Sequence, residues 1–255
     1  MLGFSRLISR GLPAIAGATL IATTAVPLWA ETAKIVLINP NSNAEATKGM
    51  ADLARGVADG RAEIVERTNE GVPALLTTPE DMANASKGVA AIGASAAAEP
   101  GVAAIIVAAF SDPGLPELRA AVSGTPIFGI GEAAFHEAAK GGRTFSIVTI
   151  TPDKGLIESF RLRAEALGYS GQYRGVKVTP GDPKELVKDP AALDAALADA
   201  VRRAIAEDQA QAVIMGGGPL SAPAMRIRDQ FKIPLVIAVA AATNAALAKI
   251  GAASE

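Results

Sequence analysis

Four side chains stand where chemistry is sought first: Ser111, Asp112, Glu132 and His136. A serine hydroxyl needs a neighbouring general base to act as a nucleophile, and His136 is the single imidazole in the chain. A Ser111–His136 pair is one reading. On the other, Ser111 bonds the amides of a Ser-Asp-Pro-Gly turn, and His136 pairs with Glu132 at i,i+4 on a partly exposed helix face. Glu132 stands near a helix start just past a strand end, where the helix dipole favours a carboxylate without any catalysis. Asp112 is expected to cap a helix whose first residue is Pro113.

Groups suited to binding are more numerous. Asn39, Asn41 and Ser42 follow one apolar run and Thr149 and Thr151 follow another, so their amides and hydroxyls could converge on a carboxylate or a small polar ring. Gly216-Gly-Gly218 before Pro219 offers bare backbone amides to an anion. No Lys-Ser or Lys-Thr follows those glycines, and no Gly-x-Gly-x-x-Gly follows the first strand, so no nucleotide cofactor is expected. One histidine and no cysteine cannot build an ordinary zinc site, and Asp182, Asp189 and Asp194 lack the spacing of a calcium loop. No metal is expected. With 24 basic against 26 acidic residues and only 4% aromatics, the chain lacks both the charge and the stacking surface of a nucleic-acid binder. A small molecule is the expected partner, and the sequence leaves a homo-oligomer open.

The elements that must position these groups alternate between strand and helix. Ala104-Ile-Ile-Val-Ala-Ala-Phe-Ser-Asp-Pro-Gly-Leu115 reads as a buried parallel strand running into a turn and then a helix from Pro113. Before it, strands are expected at 35–39 and 62–68 and helices at 44–59 and 80–98. After it come a strand at 125–130 and a helix at 131–140. The pattern then starts again: strands at 145–151, 172–178, 211–215 and 234–239, with helices at 153–168, 190–207 and 219–231 and a last one ending at Ile250. Gly181-Asp-Pro-Lys and Lys188-Asp-Pro-Ala read as turns and helix starts.

The restart is a repeat. Ala212-Val-Ile-Met-Gly-Gly-Gly-Pro-Leu220 has the design of the central stretch, and Ala109 and Gly217 each stand 17 residues before a proline, Pro126 and Pro234. Ile35-Val-Leu-Ile-Asn-Pro40 agrees with Ile147-Val-Thr-Ile-Thr-Pro152 at four of six places. The expected fold is therefore α/β: two pseudosymmetric, doubly wound halves, each with a four-stranded parallel sheet, enclosing a site at the carboxyl ends of their strands. Residues 34–141 with 240–255 would form the first half and 142–239 the second.

Asn39-Pro-Asn-Ser42, Ala108-Ala-Phe-Ser-Asp-Pro-Gly-Leu115, Gly129-Ile-Gly-Glu-Ala133, Phe145-Ser-Ile-Val-Thr149 and Met215-Gly-Gly-Gly218 occur in the order found in the aspartate/glutamate/hydantoin racemase family. The chain resembles that family over nearly all of its length beyond residue 30, and the hydantoin and allantoin racemase branch most of all. The resemblance implies a small carboxylate, amino acid or hydantoin held between two halves, with Asn39, Asn41, Ser42, Phe110, Thr149, Thr151, Gly216 and Gly218 as binding positions. It also implies two cysteines, one from each half, that remove and return an α-proton on opposite faces of the substrate. Those two positions are Ala109 and Gly217 here. Alanine and glycine can neither take nor give a proton, so racemisation by two thiols is not expected of this chain.

Residues 1–30 have the make-up of an export signal. Arg6 and Arg10 precede an uncharged stretch rich in Ala, Leu and Ile that closes on small residues before Glu31. A retained membrane anchor is the competing reading; two prolines, several threonines and the small-residue exit favour cleavage after Ala30. A periplasmic or secreted protein is expected, and an oxidising compartment gives a reason to dispense with two facing thiols. Three readings fit: an enzyme of this family with cysteine-independent chemistry, a binding or sensing protein that keeps the cleft for a small acid, or a structural remnant, and fold alone does not choose among them.

Overall fold

The computed structural model describes residues 32–76, 78–217 and 220–253. The expected export signal, residues 1–30, and Gly218 lie outside the described residues. The chain from Glu31 onward forms a compact unit. In its first part β1 (Lys34–Asn39), α1 (Ala44–Ala58), β2 (Glu63–Thr68), α2 (Pro79–Ala97), β3 (Val102–Val107), α3 (Leu115–Ala121), β4 (Ile127–Gly129) and α4 (Ile130–Ala139) follow in order. The second part runs β5 (Phe145–Thr149), α5 (Lys154–Ala166), β6 (Tyr173–Val178), α6 (Pro183–Leu186), α7 (Pro190–Asp208), β7 (Ala212–Met215), α8 (Ser221–Ile227), β8 (Leu235–Val236) and α9 (Ala238–Ala253). Two four-stranded sheets result, ordered β2-β1-β3-β4 and β6-β5-β7-β8, with every pairing parallel. The duplicated strand order is the one the repeat in the sequence requires.

The central strands are largely apolar because both faces of each sheet are covered, and Ser146, the buried exception inside β5, donates to Asp208 Oδ2 at 2.8 Å. Alternate residues of β1 and β3 then face different cores. Ile35, Leu37, Ala104 and Ile106 join α1, α4 and α9 in a large core that also takes Phe145, Ile147, Ala212 and Ile214 from β5 and β7. Val36, Ile38, Ile105 and Val107 face the other way, onto Val89 of α2 and Leu115 and Leu118 of α3. In the second sheet Val148, Val213 and Met215 pack against α7 and α8. One continuous core therefore joins the two sheets, and a separate core lies outside each. The last helix, α9, packs on α1, α4, β3 and β4, so the chain ends against the first sheet.

Several boundaries differ from the sequence expectation. The helix after β3 starts at Leu115 rather than Pro113, with Gly114 at its N-cap at φ +78° and no side-chain cap. Asp112 does not cap it, because its carboxylate is drawn to a different helix. The strand expected to reach Val239 ends at Val236, and Val239 lies in α9. The run Ala238-Val-Ala-Ala-Ala-Thr243 favours helix strongly enough to end the strand early. The helix expected from 219 to 231 is α8 followed by a 3-10 turn at Arg228–Gln230. Other helix starts are capped as their residue types demand: Asn43 for α1, Thr78 with Asp81 in a capping box for α2, Asp153 for α5, Asp182 for α6 and Asp189 for α7.

Candidate functional site

A cavity of about 590 Å³ opens where β3, β5 and β7 end. Phe110 and Ser111 follow β3, Thr149, Ile150 and Thr151 end and follow β5, and Gly216 and Gly217 follow β7. Phe135 of α4 closes one side. Another wall is α5, whose Leu156, Ser159, Phe160, Arg163 and Ala166 fall at helical spacing on one face. Carboxyl ends of parallel strands are where such sheets hold ligands, because the strand order reverses between β1 and β3 and between β5 and β7 and leaves a crevice there. The two parts of the chain are joined at this wall by aromatic contacts. Phe110 meets Phe160 edge-on at 5.4 Å between ring centres and Phe135 at 6.1 Å, and Phe135 meets Phe145 at 5.7 Å.

The loop after β3 is fixed by Asp112. Its backbone lies in the left-handed region at φ +50°, a conformation Asp tolerates better than most side chains. Its carboxylate accepts from the backbone N–H of Gly131 at 2.9 Å and of Glu132 at 2.7 Å, so it caps the start of α4 across the loop. It also accepts from Arg163 Nη2 at 2.6 Å, which ties α5 to the first sheet's loop. The glycines around it follow from this crowding. A Cβ on Gly129 would run into the Asp112 carboxylate, and one on Gly131 would run into the Phe110 carbonyl oxygen. Gly129-Ile-Gly131 is thus a packing requirement of the site's floor.

Burial pushes the Asp112 carboxyl up to about 6 from its ordinary 3.8; the Gly131 and Glu132 amides and Arg163 act in the opposite direction. A carboxyl whose folded value lies above its unfolded one stabilises the fold fully below the unfolded value, and the contribution is lost as pH rises through the folded value. Between about pH 4 and 6, stability should therefore fall with rising pH, by about 3 kcal/mol at most from this group. Asp112→Asn should abolish that slope. Urea unfolding across the interval checks it, and parallel curves for parent and variant would count against it.

Of the residues singled out in the sequence, the structure brings Phe110, Ser111, Thr149, Thr151, Gly216 and Gly217 to the cavity. Among the described residues, it does not bring the others. Asn39 is buried, and its amide donates to Asn41 Oδ1 at 2.9 Å, Asn43 O at 3.1 Å and Thr47 Oγ1 at 3.0 Å; the Asn41 N–H donates back to Asn39 Oδ1. Asn39 and Asn41 thus bind each other and the start of α1, and Ser42 lies in the same turn, its N–H bonded to Pro73 O. None of the three lines the cavity. Ala109 is half-buried just before Phe110 and is also absent from the lining. Gly217 is at φ +149°, so a side chain there would be strained. Gly216 packs against Ile147, where a Cβ would come within 2.6 Å of Cγ2.

Glu132 and His136 also lie away from this cavity, in a groove of about 530 Å³ formed by α4, α9 and Arg119. Arg119 holds both Glu132 oxygens at 3.1 and 3.0 Å. Burial pushes the Glu132 carboxyl up, but the Arg119 bonds and the charges of Arg119, His136 and Arg163 hold it below its ordinary value. His136 Nε2 is 3.6 Å from Glu132, the expected i,i+4 pair, and its Nδ1 shares a 2.6 Å hydrogen bond with Tyr169 Oη. The imidazole is therefore engaged by Glu132 and Tyr169, and it shares no cavity with Ser111. The Ser-His pair is not formed. Thr149, which is buried, accepts the Thr151 N–H on Oγ1 at 3.3 Å.

Arg163 was not evident from the sequence as a site residue. The available signal was its place in the 156-160-163-167 stripe of α5, an arginine where a core-facing leucine or alanine would be expected.

Two parallel sheets of identical strand order, sharing a core and a cavity at their strand ends, define a duplicated α/β protein with a small-molecule site. The family model described as Asp/Glu/Hydantoin racemase matches residues 35–246. The chain belongs to the Asp/Glu/hydantoin racemase family. It is 28% identical over 211 residues to a hydantoin racemase of Pseudomonas sp. (strain NS671), covering 82% of each chain. With a hydantoin racemase of Rhizobium meliloti it shares 30% identity over 86% of this chain and 89% of that one. Allantoin racemase from Klebsiella pneumoniae superposes with a TM-score of 0.77 at 25% identity, over 87% of this chain and 89% of the other. Glutamate racemase from Francisella tularensis subsp. tularensis shares the fold at a TM-score of 0.60 and 10% identity, over 88% and 82% of the two chains.

Proposed function

We propose that this chain is an exported, ligand-binding member of its family that holds a small carboxylate, amino acid or hydantoin in the cavity and does not racemise it by two thiols. One observation carries the reading: the described residues lining the cavity include no thiol, imidazole or carboxylate. A proton relay needs a group whose pKa can be brought near the working pH, and hydroxyls such as Ser111, Thr149 and Thr151 do not meet that need alone. The hydantoin and allantoin racemases among its relatives support the ligand class. The apolar walls and few polar groups have the make-up of a small-molecule site. The second reading, a cysteine-independent enzyme, would rest on Ser111, which is exposed at the cavity, with a base that moves in from outside the lining.

The experiment starts from protein recovered from a periplasmic extract, its first residue fixed by intact mass. That residue should lie near Glu31, and a mass retaining residues 1–30 would reject export with cleavage. The protein is then screened by thermal shift against hydantoins, allantoin, amino acids and dicarboxylates, and any hit is incubated with it in heavy water. A rise in melting temperature without deuterium at the α-carbon is expected. Deuterium uptake above that of the ligand alone would establish the enzyme instead. No shift with any of these compounds would remove the binding reading.

A further inference from the structure

We infer that Arg163 is the charge anchor of the cavity and that the ligand is a monocarboxylate carrying an apolar group. The inference rests on the ligand-binding reading above and narrows it.

Arg163 is the one charged side chain among the described residues that line the cavity. Its position is set from behind: Nη2 is held at 2.6 Å by the Asp112 carboxylate, whose side chain is fully buried. Asp112 cannot neutralise it completely, because the same carboxylate also accepts two amides at the N-terminus of the ten-residue helix α4. Its negative charge is divided between a helix dipole and the guanidinium. The other nearby carboxylate, Glu132, is 3.8 Å from Arg163 and is already engaged by Arg119. A third of the Arg163 side chain remains exposed, and its Nε, itself covered, has no acceptor among the described residues. The fork therefore keeps unused donors and part of its charge, in a position fixed by a bond on one edge. That is the arrangement by which arginine takes a carboxylate.

The rest of the lining limits the ligand further. Ser159 lies one turn before Arg163 on α5, and Ser111, Thr149 and Thr151 supply the other polar side chains, with the glycine turn after β7 beside them. Phe110, Phe135, Leu156, Phe160, Leu162 and Leu220 make up most of the remainder. With a single cation present, a second carboxylate would be placed against these apolar walls at a large desolvation cost. An apolar substituent fits the same walls.

The test compares ligands of similar size, each with one phenyl group, that carry no, one or two carboxylates. N-carbamoylphenylalanine, its methyl ester, 5-benzylhydantoin and phenylsuccinate are titrated calorimetrically into the parent protein, Arg163→Gln, Arg163→Lys and the surface control Arg161→Gln. In the parent, the N-carbamoyl acid should bind more tightly than its ester, the hydantoin and the dicarboxylate. Arg163→Gln should weaken the acid by about 10- to 100-fold and the hydantoin by less than about 3-fold. Arg163→Lys should recover part of the loss, and Arg161→Gln should change neither ligand. Equal losses for acid and hydantoin would reduce Arg163 to a structural role and overturn the inference. So would a parent that binds the ester or the hydantoin as tightly as the acid, a comparison that needs no variant to fold. Tight binding of hydantoin alone would overturn the inference and leave the ligand-binding reading standing; binding of none of the four, with none in the wider screen, would overturn both.

Discussion

Asp112→Ala should lower the unfolding free energy by about 3–5 kcal/mol, among the largest losses expected of any single change in this chain. The carboxylate is buried and accepts three hydrogen bonds, from the Gly131 and Glu132 amides and from Arg163. Truncation leaves all three donors without it, one of them carrying a charge. Alanine would also have to hold a left-handed backbone at φ +50°, which aspartate tolerates better than most side chains. Asp112→Asn keeps an acceptor and the tolerance for that backbone, so it should cost less, roughly 1–3 kcal/mol. Urea unfolding of both variants measures the difference. A loss below about 1 kcal/mol for Asp112→Ala would mean that water or a neighbour takes over the donors, and that the tie between α5 and the β3 loop is not held by this residue.

Gly131→Ala should be nearly as costly, by roughly 2–4 kcal/mol, through overpacking alone. The added methyl has to occupy the place of the Phe110 carbonyl oxygen, and it also comes within 2.9 Å of Asp112 Oδ2. A backbone carbonyl cannot turn aside as a flexible side chain does, so α4 must move away from the β3 loop, which takes the Asp112 cap with it. The Phe110–Phe135 contact lies on the same two elements, so the cavity should open as well. Gly49→Ala is the matched control. Gly49 is in the middle of α1 with nothing within 4 Å of the methyl that alanine would add, and alanine there should contribute about 0.5–1 kcal/mol through helix propensity. Thermal melting of the two variants should therefore move in opposite directions. A Gly131→Ala variant that melts with the parent would show that α4 can slide without loss.

The sequence by itself determined the alternation of strands and helices, the duplication, the parallel character of the sheets and the absence of cysteine. These are legible because burial on both faces leaves continuous apolar runs, and because helix caps and turns depend on near neighbours. Asn43, Asp153 and Asp189 cap the helices that directly follow them. Tertiary structure alone decided which polar groups meet. Asn39 ends a strand as Thr149 does, yet its amide is used up by Asn41, Asn43 and Thr47, whereas Thr149 reaches the cavity. Asp112 has a local helix start to cap and instead caps α4 and binds Arg163, 51 residues further along. A local pattern records how deeply a residue is buried, and a short polar side chain will satisfy whichever donors the packing brings nearest. Those donors come from elements far apart in the chain, so the partners of Asp112, the isolation of His136 from Ser111 and the placing of Arg163 in an apolar wall were fixed only when the two sheets packed on their common core.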